Sequence, residues 1–219
     1  MSNKEQIAEA LFKVLSERGV GDGKAGSDRD DQMVPIGISN RHIHLSQEDL
    51  EVCFGKGYEL TPIKDLSQPG QFACKETMTV AGPKGAIEKV RILGPTRKQS
   101  QVELLAGDNF KLGIKAPLRM SGDLKDSAGV TLIGTEGSVC LKEGAIVAAR
   151  HIHMSPSDAE RYGVENGQIV CLELDGPRGG ILQNVVIRAD EKGLLDCHLD
   201  TEEANAMGLS SASKGRIIK

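Results

Sequence analysis

Tryptophan is absent from the 219-residue sequence, and four Phe and two Tyr are all the aromatic side chains it has. That scarcity argues against stacking of nucleic-acid bases as a main activity. Neither sign of charge dominates: 31 acidic and 27 basic residues leave a formal charge of −4, which speaks against a surface built for nucleic acid or anionic membrane. Long apolar runs are missing as well. Glu5, Glu9 and Lys13 interrupt the N-terminal region, so neither a secretory signal nor a membrane-spanning helix fits there. Cysteine follows no framework: Cys53, Cys74, Cys140, Cys171 and Cys197 are odd in number, widely spaced and without a CxxC. They read as buried, reduced thiols of a cytoplasmic protein.

What is there begins with a short amphipathic helix over residues 2–18. Ser2 and Glu5 have capping-box spacing, and Ile7, Ala8, Leu11, Phe12, Val14 and Leu15 form one apolar stripe. Gly19 to Asp31 holds four glycines and four aspartates, the composition of a linker, so the helix reads as tethered. By itself the stripe suits packing on the protein's own core equally well. Beyond Met33 the pattern is mainly β. Val34, Ile36 and Ile38 alternate, Thr77 to Ala81 and Ile87 to Leu93 flank Gly82-Pro83-Lys84-Gly85, and Val130 to Ile133 precedes Gly134-Thr135-Glu136-Gly137. Short strands joined by glycine-bearing turns predict a barrel or sandwich with a few short helices.

An internal repeat organises the rest. Arg41-His42-Ile43-His44-Leu45-Ser46 matches Arg150-His151-Ile152-His153-Met154-Ser155. Each copy then starts a helix: Ser46 with Asp49, and Ser155 with Asp158, have N-cap and N3 spacing, and Pro156 suits the first helical position. Gly82-Pro83-Lys84-Gly85 answers to Gly176-Pro177-Arg178-Gly179. Two copies of one β unit, the first carrying an insertion, predict a pseudo-two-fold arrangement with a shared site between the halves.

Side chains at i and i+2 of a strand share a face, so His42 and His44 project together, as do His151 and His153. One such pair is weak evidence for a metal, because histidine has many structural uses. Here four of the five histidines sit in the duplicated pairs. Glu103 lies 21 residues after Gly82 and His198 lies 22 after Gly176, so the fifth histidine falls opposite Glu103. Each half then offers three ligands: His42, His44 and Glu103, or His151, His153 and His198. Three ligands with an open position suit a catalytic zinc, and the donor types also accept other divalent transition metals. Cys197 flanks His198 but should face the other way. Arg97, six residues before Glu103 in the loop Gly94 to Ser100, is placed to capture an anion beside the glutamate-side metal. Lys98 is the weaker candidate, a surface charge.

These motifs resemble the PduL-type phosphate propanoyltransferases, the phosphotransacylases of bacterial microcompartments. The resemblance runs from about Val34 to the C-terminus and rests on Arg41 to His44, Gly94 to Arg97 with Gln101 to Glu103, Arg150 to His153, and His198 to Thr201 before Glu203 to Ala206. It implies two β-barrels capped by short helices: a first over 41–148, and a second over 149–219 completed by 32–40, with residues 1–31 as an encapsulation-type helix and linker. It implies two Zn2+, held by His42, His44 and Glu103 and by His151, His153 and His198, and a catalytic, phosphate-binding Arg97. The implied reaction moves a propanoyl group, or the shorter acetyl group, between coenzyme A and inorganic phosphate. A location in the cytoplasm inside a propanediol-type microcompartment is implied too, with shell or co-packaged enzymes as partners of residues 1–18. No nucleic-acid or membrane partner is expected, and a homo-oligomer is compatible with the reading. Two rivals use the same residues: a binuclear metallohydrolase of thioesters or phosphoesters, and a non-catalytic metal-binding scaffold.

Overall fold

The computed structural model of the protein describes residues 32–219; the helix and linker expected over residues 1–31 lie outside the described residues. The chain runs β1 (Met33–Ser39), β2 (His42–His44), α1 (Gln47–Phe54), β3 (Pro62–Asp65), β4 (Phe72–Gly82), β5 (Gly85–Gly94), β6 (Gln101–Leu104), α2 (Asp108–Leu112), β7 (Leu118–Arg119), β8 (Ala128–Ile133), β9 (Ser138–Ala148), β10 (His151–Met154), α3 (Pro156–Tyr162), β11 (Ile169–Leu174), β12 (Gly180–Ala189), β13 (Asp196–Asp200), α4 (Thr201–Met207) and β14 (Lys214–Ile218). The protein is mainly β, as its turn and alternation pattern predicts. Among the described residues no helix is long and apolar enough to cross a membrane.

The strands close into two barrels. One follows the order β1-β13-β10-β12-β11-β14. In the other, β4, β5, β2, β6 and β9 are neighbours in that order, and β8 closes the ring by pairing with both β9 and β4. The two match strand for strand: β2 lies between a parallel β5 and an antiparallel β6, and β10 between a parallel β12 and an antiparallel β13. Beyond β6 comes the parallel β9, and beyond β13 the parallel β1. Each of those last strands leads directly into the central strand of the other barrel, β9 into β10 and β1 into β2. The halves therefore exchange one strand reciprocally. Closure removes free edges within each ring, and β3 and β7 remain as short edge strands on β4 and β9.

The duplicated motif explains the local structure on both sides of each central strand. Its isoleucines, Ile43 and Ile152, are fully buried in the two separate barrel cores, a burial worth ~1.5–3 kcal/mol each. The alternation that turns them inward turns the histidines out. Both following helices start as the cap residues predict. The Ser46 side chain accepts from the Asp49 amide, and Ser155 and Asp158 form a reciprocal capping box with Pro156 in the first turn.

Two details differ from the sequence pattern. The strands are not uniformly short: β4 and β9 each run 11 residues. Register shifts in the β4 ladder let that strand bend and serve both β5 and β8, as bulges allow. The two glycine turns are also unequal. Gly82 pairs directly with Gly85 across a two-residue turn, whereas Asp175 to Gly179 separates β11 from β12.

Candidate metal centre

Strand register builds each ligand cluster. In the first barrel His42 pairs with Glu103 and His44 with Gln101; in the second His151 pairs with His198 and His153 with Asp196. Paired residues on neighbouring strands share a face, so His198 occupies in β13 the position of Glu103 in β6. Ligand-capable atoms of His42, His44 and Glu103 lie within 4.8 Å of one another, and so do those of His151, His153 and His198. Both clusters line one cavity of about 450 Å3, together with Arg41, Arg91, Arg97, Ser121, Arg188 and Asp196. The barrels meet around it: Gln68 and Leu194 exchange two hydrogen bonds, and Glu202 accepts from the Gly107 amide.

The leading histidine of each pair is oriented in the same way. His42 Nδ1 lies 2.8 Å from the Asn40 carbonyl, and His151 Nδ1 lies 2.8 Å from the Ala149 carbonyl. A carbonyl only accepts, so Nδ1 carries the proton and Nε2 presents its lone pair to the site. His151 Nε2 and His153 Nε2 are 3.1 Å apart, a spacing that two ligands of one ion would share. His44 Nδ1 is buried without a hydrogen-bond partner. Neutral imidazoles converging with a carboxylate in this way fit a transition-metal ion.

Electrostatics separate the clusters. Burial pushes His44 down to about 3, helped by the charges of His42 and Arg97. Burial likewise lowers His151 to about 4 and His153 to about 3. His42 goes the other way: burial opposes its charge, but Glu103, 3.3 Å from its Nε2, outweighs burial by charge and hydrogen bond. Glu103 in turn is held far below the usual carboxylate range, because His42 and His44 overcome the cost of burying it. His42 and Glu103 thus each favour the charged form of the other, as a buried imidazole and carboxylate do when paired.

Arg97 is drawn to the glutamate side by its backbone. Its amide donates to the Leu45 carbonyl at 2.8 Å, just past β2, and its guanidinium donates to His44 Nε2 at 2.8 Å and to Ser121 Oγ at 3.1 Å. An ion on His44 Nε2 takes the same lone pair and frees that donor for an anion. Lys98 is exposed and does not line the cavity. Cys197 is fully buried in the second core, where burial pushes its thiol up. Ser67 Oγ lies 3.4 Å from His198 Nε2, but Asp196 contacts that same nitrogen at 3.1 Å. A serine relay needs its acid on the other ring nitrogen, so none is formed.

Sequence reasoning missed the supports of the third ligand. Gln101 donates to Glu103 Oε1 at 2.6 Å and to Ser121 Oγ, while Gly122 donates to Gln101 Oε1. Asp196 stands at the matching position beside His198. The signal was their i−2 spacing on a ligand-bearing strand. Gly37, paired with His198, leaves room for Asp196: a Cβ there would lie 2.7 Å from its Oδ2. The arginine of each motif proves to be an anchor, Arg41 bonding to Asp108 and Arg150 to Glu203.

Fold and site together define a double-barrel protein with two His-rich clusters competent to hold metal and cationic side chains facing the same cavity. The model of the phosphate propanoyltransferase family matches residues 35–210. A phosphate propanoyltransferase of Rhodobacter capsulatus is 53% identical over 195 residues, covering 89% of this chain and 91% of that protein. One of Thermotoga maritima is 52% identical over 84% of this chain and 88% of its own length. Another, of Rhodopseudomonas palustris, is 46% identical over 99% of this chain and 98% of its own. The chain belongs to the phosphate propanoyltransferase family, a family of phosphate acyltransferases.

Proposed function

We propose that the protein is a zinc-dependent phosphate propanoyltransferase: it moves a propanoyl group between coenzyme A and inorganic phosphate, and takes acetyl as a shorter substrate. In this reading His42, His44 and Glu103 hold one Zn2+, His151, His153 and His198 hold the other, and Arg97 binds phosphate. The observation that carries it is the opening of both ligand clusters and Arg97 onto one cavity. The donor set favours zinc, while Co2+, Ni2+, Mn2+ and Fe2+ remain chemically compatible.

An oxygen of hydrogen phosphate attacks the thioester carbonyl, the C–S bond breaks, and the phosphate proton ends on the departing sulfur, giving acyl phosphate and coenzyme A thiol. When bound, the two ions supply Lewis acidity, which stabilises a departing thiolate and polarises a carbonyl. Arg97 holds and orients the nucleophile, a contribution of proximity. Gln101 keeps the Glu103 carboxylate turned toward His42, and Asp196 does the same for the His198 ring. With Cys197 in the core and no relay between Ser67 and His198, direct attack is favoured over an acyl-enzyme.

Residues 1–18 are proposed to dock the enzyme with a microcompartment shell or its co-packaged enzymes in the cytoplasm; their apolar stripe and the following linker support this. Deleting residues 1–25 should spare activity and abolish co-sedimentation with shells, and loss of activity would reject the role.

Thiol release from propanoyl-coenzyme A, with and without phosphate, tests the reaction. Phosphate-dependent release supports the transferase, phosphate-independent release a hydrolase, and no release a scaffold. Arg97→Ala should raise the phosphate KM at least 10-fold, as the loss of a charged hydrogen bond implies, with metal content retained.

A further inference from the structure

Four arginines, Arg41, Arg91, Arg97 and Arg188, line the cavity. Arg41 is held by Asp108. Arg91 donates to the Cys74 and Lys75 carbonyls, which ties it to the neighbouring strand. Arg97 contacts two neutral partners, Ser121 and His44. The Arg188 guanidinium has no hydrogen bond or ion pair among the described residues.

Its direction follows from the sheet. Arg188 is the register partner of His153 across β12 and β10, and His153 is the partner of Asp196 across β10 and β13. The three side chains therefore form a row on the cavity face, with Arg188 and Asp196 separated by roughly 10 Å, two strand spacings. Asp196 is already engaged by His198. The barrel does not require an arginine at this position. In the other half His42 pairs with Arg91, so the matching site two residues along β5 is Leu93. A half-buried guanidinium without a counter-charge is costly unless an anion visits it.

We propose that Arg188 is a substrate-binding residue for the phosphoryl group: with Arg97 from the other barrel it forms a two-armed clamp on inorganic phosphate and on the phosphoryl end of acyl phosphate. This rests on the phosphotransfer reading above. The two guanidiniums face one cavity from opposite barrels; burial lowers the pKa of Arg97, Glu103 opposes that shift, and the charge of Arg188 adds a smaller lowering. A dianion between them relieves that repulsion and accepts from both forks. The Arg188 arm comes from the second barrel alone, because Leu93 stands at the matching position of the first. The cavity's other anionic ligand in this reading, coenzyme A, carries phosphates too, and the clamp is assigned to the reacting phosphate.

The test uses the metal-loaded full-length enzyme. Arg188→Ala and the neutral, similarly sized Arg188→Gln should each raise the phosphate KM by about 10- to 100-fold, the loss of one charged hydrogen-bonding partner. The KM for propanoyl-coenzyme A should stay within about twofold, and metal content should not change. Inorganic phosphate should raise the Tm of the unaltered enzyme and raise that of Arg188→Gln much less, a readout that does not depend on turnover. Arg188→Lys, which keeps the charge but not the fork, should fall between. An unchanged phosphate KM and Tm response in Arg188→Gln would overturn the clamp while leaving the transferase intact. A rise in the coenzyme A KM instead would reassign Arg188 to the thioester substrate and overturn it too. Absence of phosphate-dependent release from the unaltered enzyme would remove both readings.

Discussion

Stripped of metal with a chelator, the protein should become acutely sensitive to mild acid. His44, His151 and His153 have folded-state values of about 3, 4 and 3, against 6.5 for an unburdened imidazole. Between those limits the unfolded chain binds protons that the folded chain refuses, so stability falls as pH falls. Each group contributes up to ~1.4 kcal/mol per pH unit, the three together up to ~4 kcal/mol per unit. From pH 6.5 to 5, a window that starts with the unfolded imidazoles half protonated, the loss comes to ~5 kcal/mol, the lower end of the whole stability of an ordinary domain. His42 does not offset this. Its raised value stabilises the fold fully below 6.5, a contribution lost only as pH climbs through that value. Glu103, depressed below the ordinary 4.5, adds its own loss only under about that pH. Urea unfolding in chelator at intervals from pH 7 to 5 measures the slope directly. His153→Gln, which cannot titrate, should flatten it by ~1.4 kcal/mol per unit. A flat profile in the metal-free protein, or a slope unchanged by removing His153, would refute the reasoning.

Other outcomes follow from the same geometry. Asp196→Asn and Gln101→Leu should each weaken one of two metal-binding steps by about 10- to 100-fold and leave the other, as outer-shell losses do; a titration against a coloured chelator reads both steps. Gly37→Ala should weaken the same step as Asp196→Asn, because the added methyl displaces that carboxylate, and unaltered binding would show that the carboxylate has room to spare. Ser155→Ala removes the cap of α3 and should cost about 1 kcal/mol, seen as a lower Tm with metal affinity intact.

Much of the candidate site was legible because its elements are local. A strand puts i and i+2 on one face, so the His-Ile-His pairs declare both a ligand face and a core face, and Ile43 and Ile152 fill the cores accordingly. Comparing two copies then compensated for the lack of long-range information: matched distances from the glycine turns brought Glu103 and His198 into correspondence, and their strand registers agree. Arg188 escaped notice because its environment is set by β10 and β13, distant in sequence, and nothing local separates it from a solvated arginine on an alternating strand. Gln101 and Asp196 escaped because their roles depend on a side-chain contact and not on a pattern.

The sequence alone determined the secondary structure around each motif, the inventory of side chains that could serve as ligands and the inequality of the two clusters, one with a glutamate and one with a third histidine. These depend on backbone geometry over a few residues and on residue identity. Tertiary structure decided that β1 and β9 change places between barrels, that both clusters open on one cavity, and that Arg97 and Arg188 face it from opposite halves. Barrel closure is a long-range choice of pairing partners, and the charge left unpaired in the cavity exists only once that choice has been made.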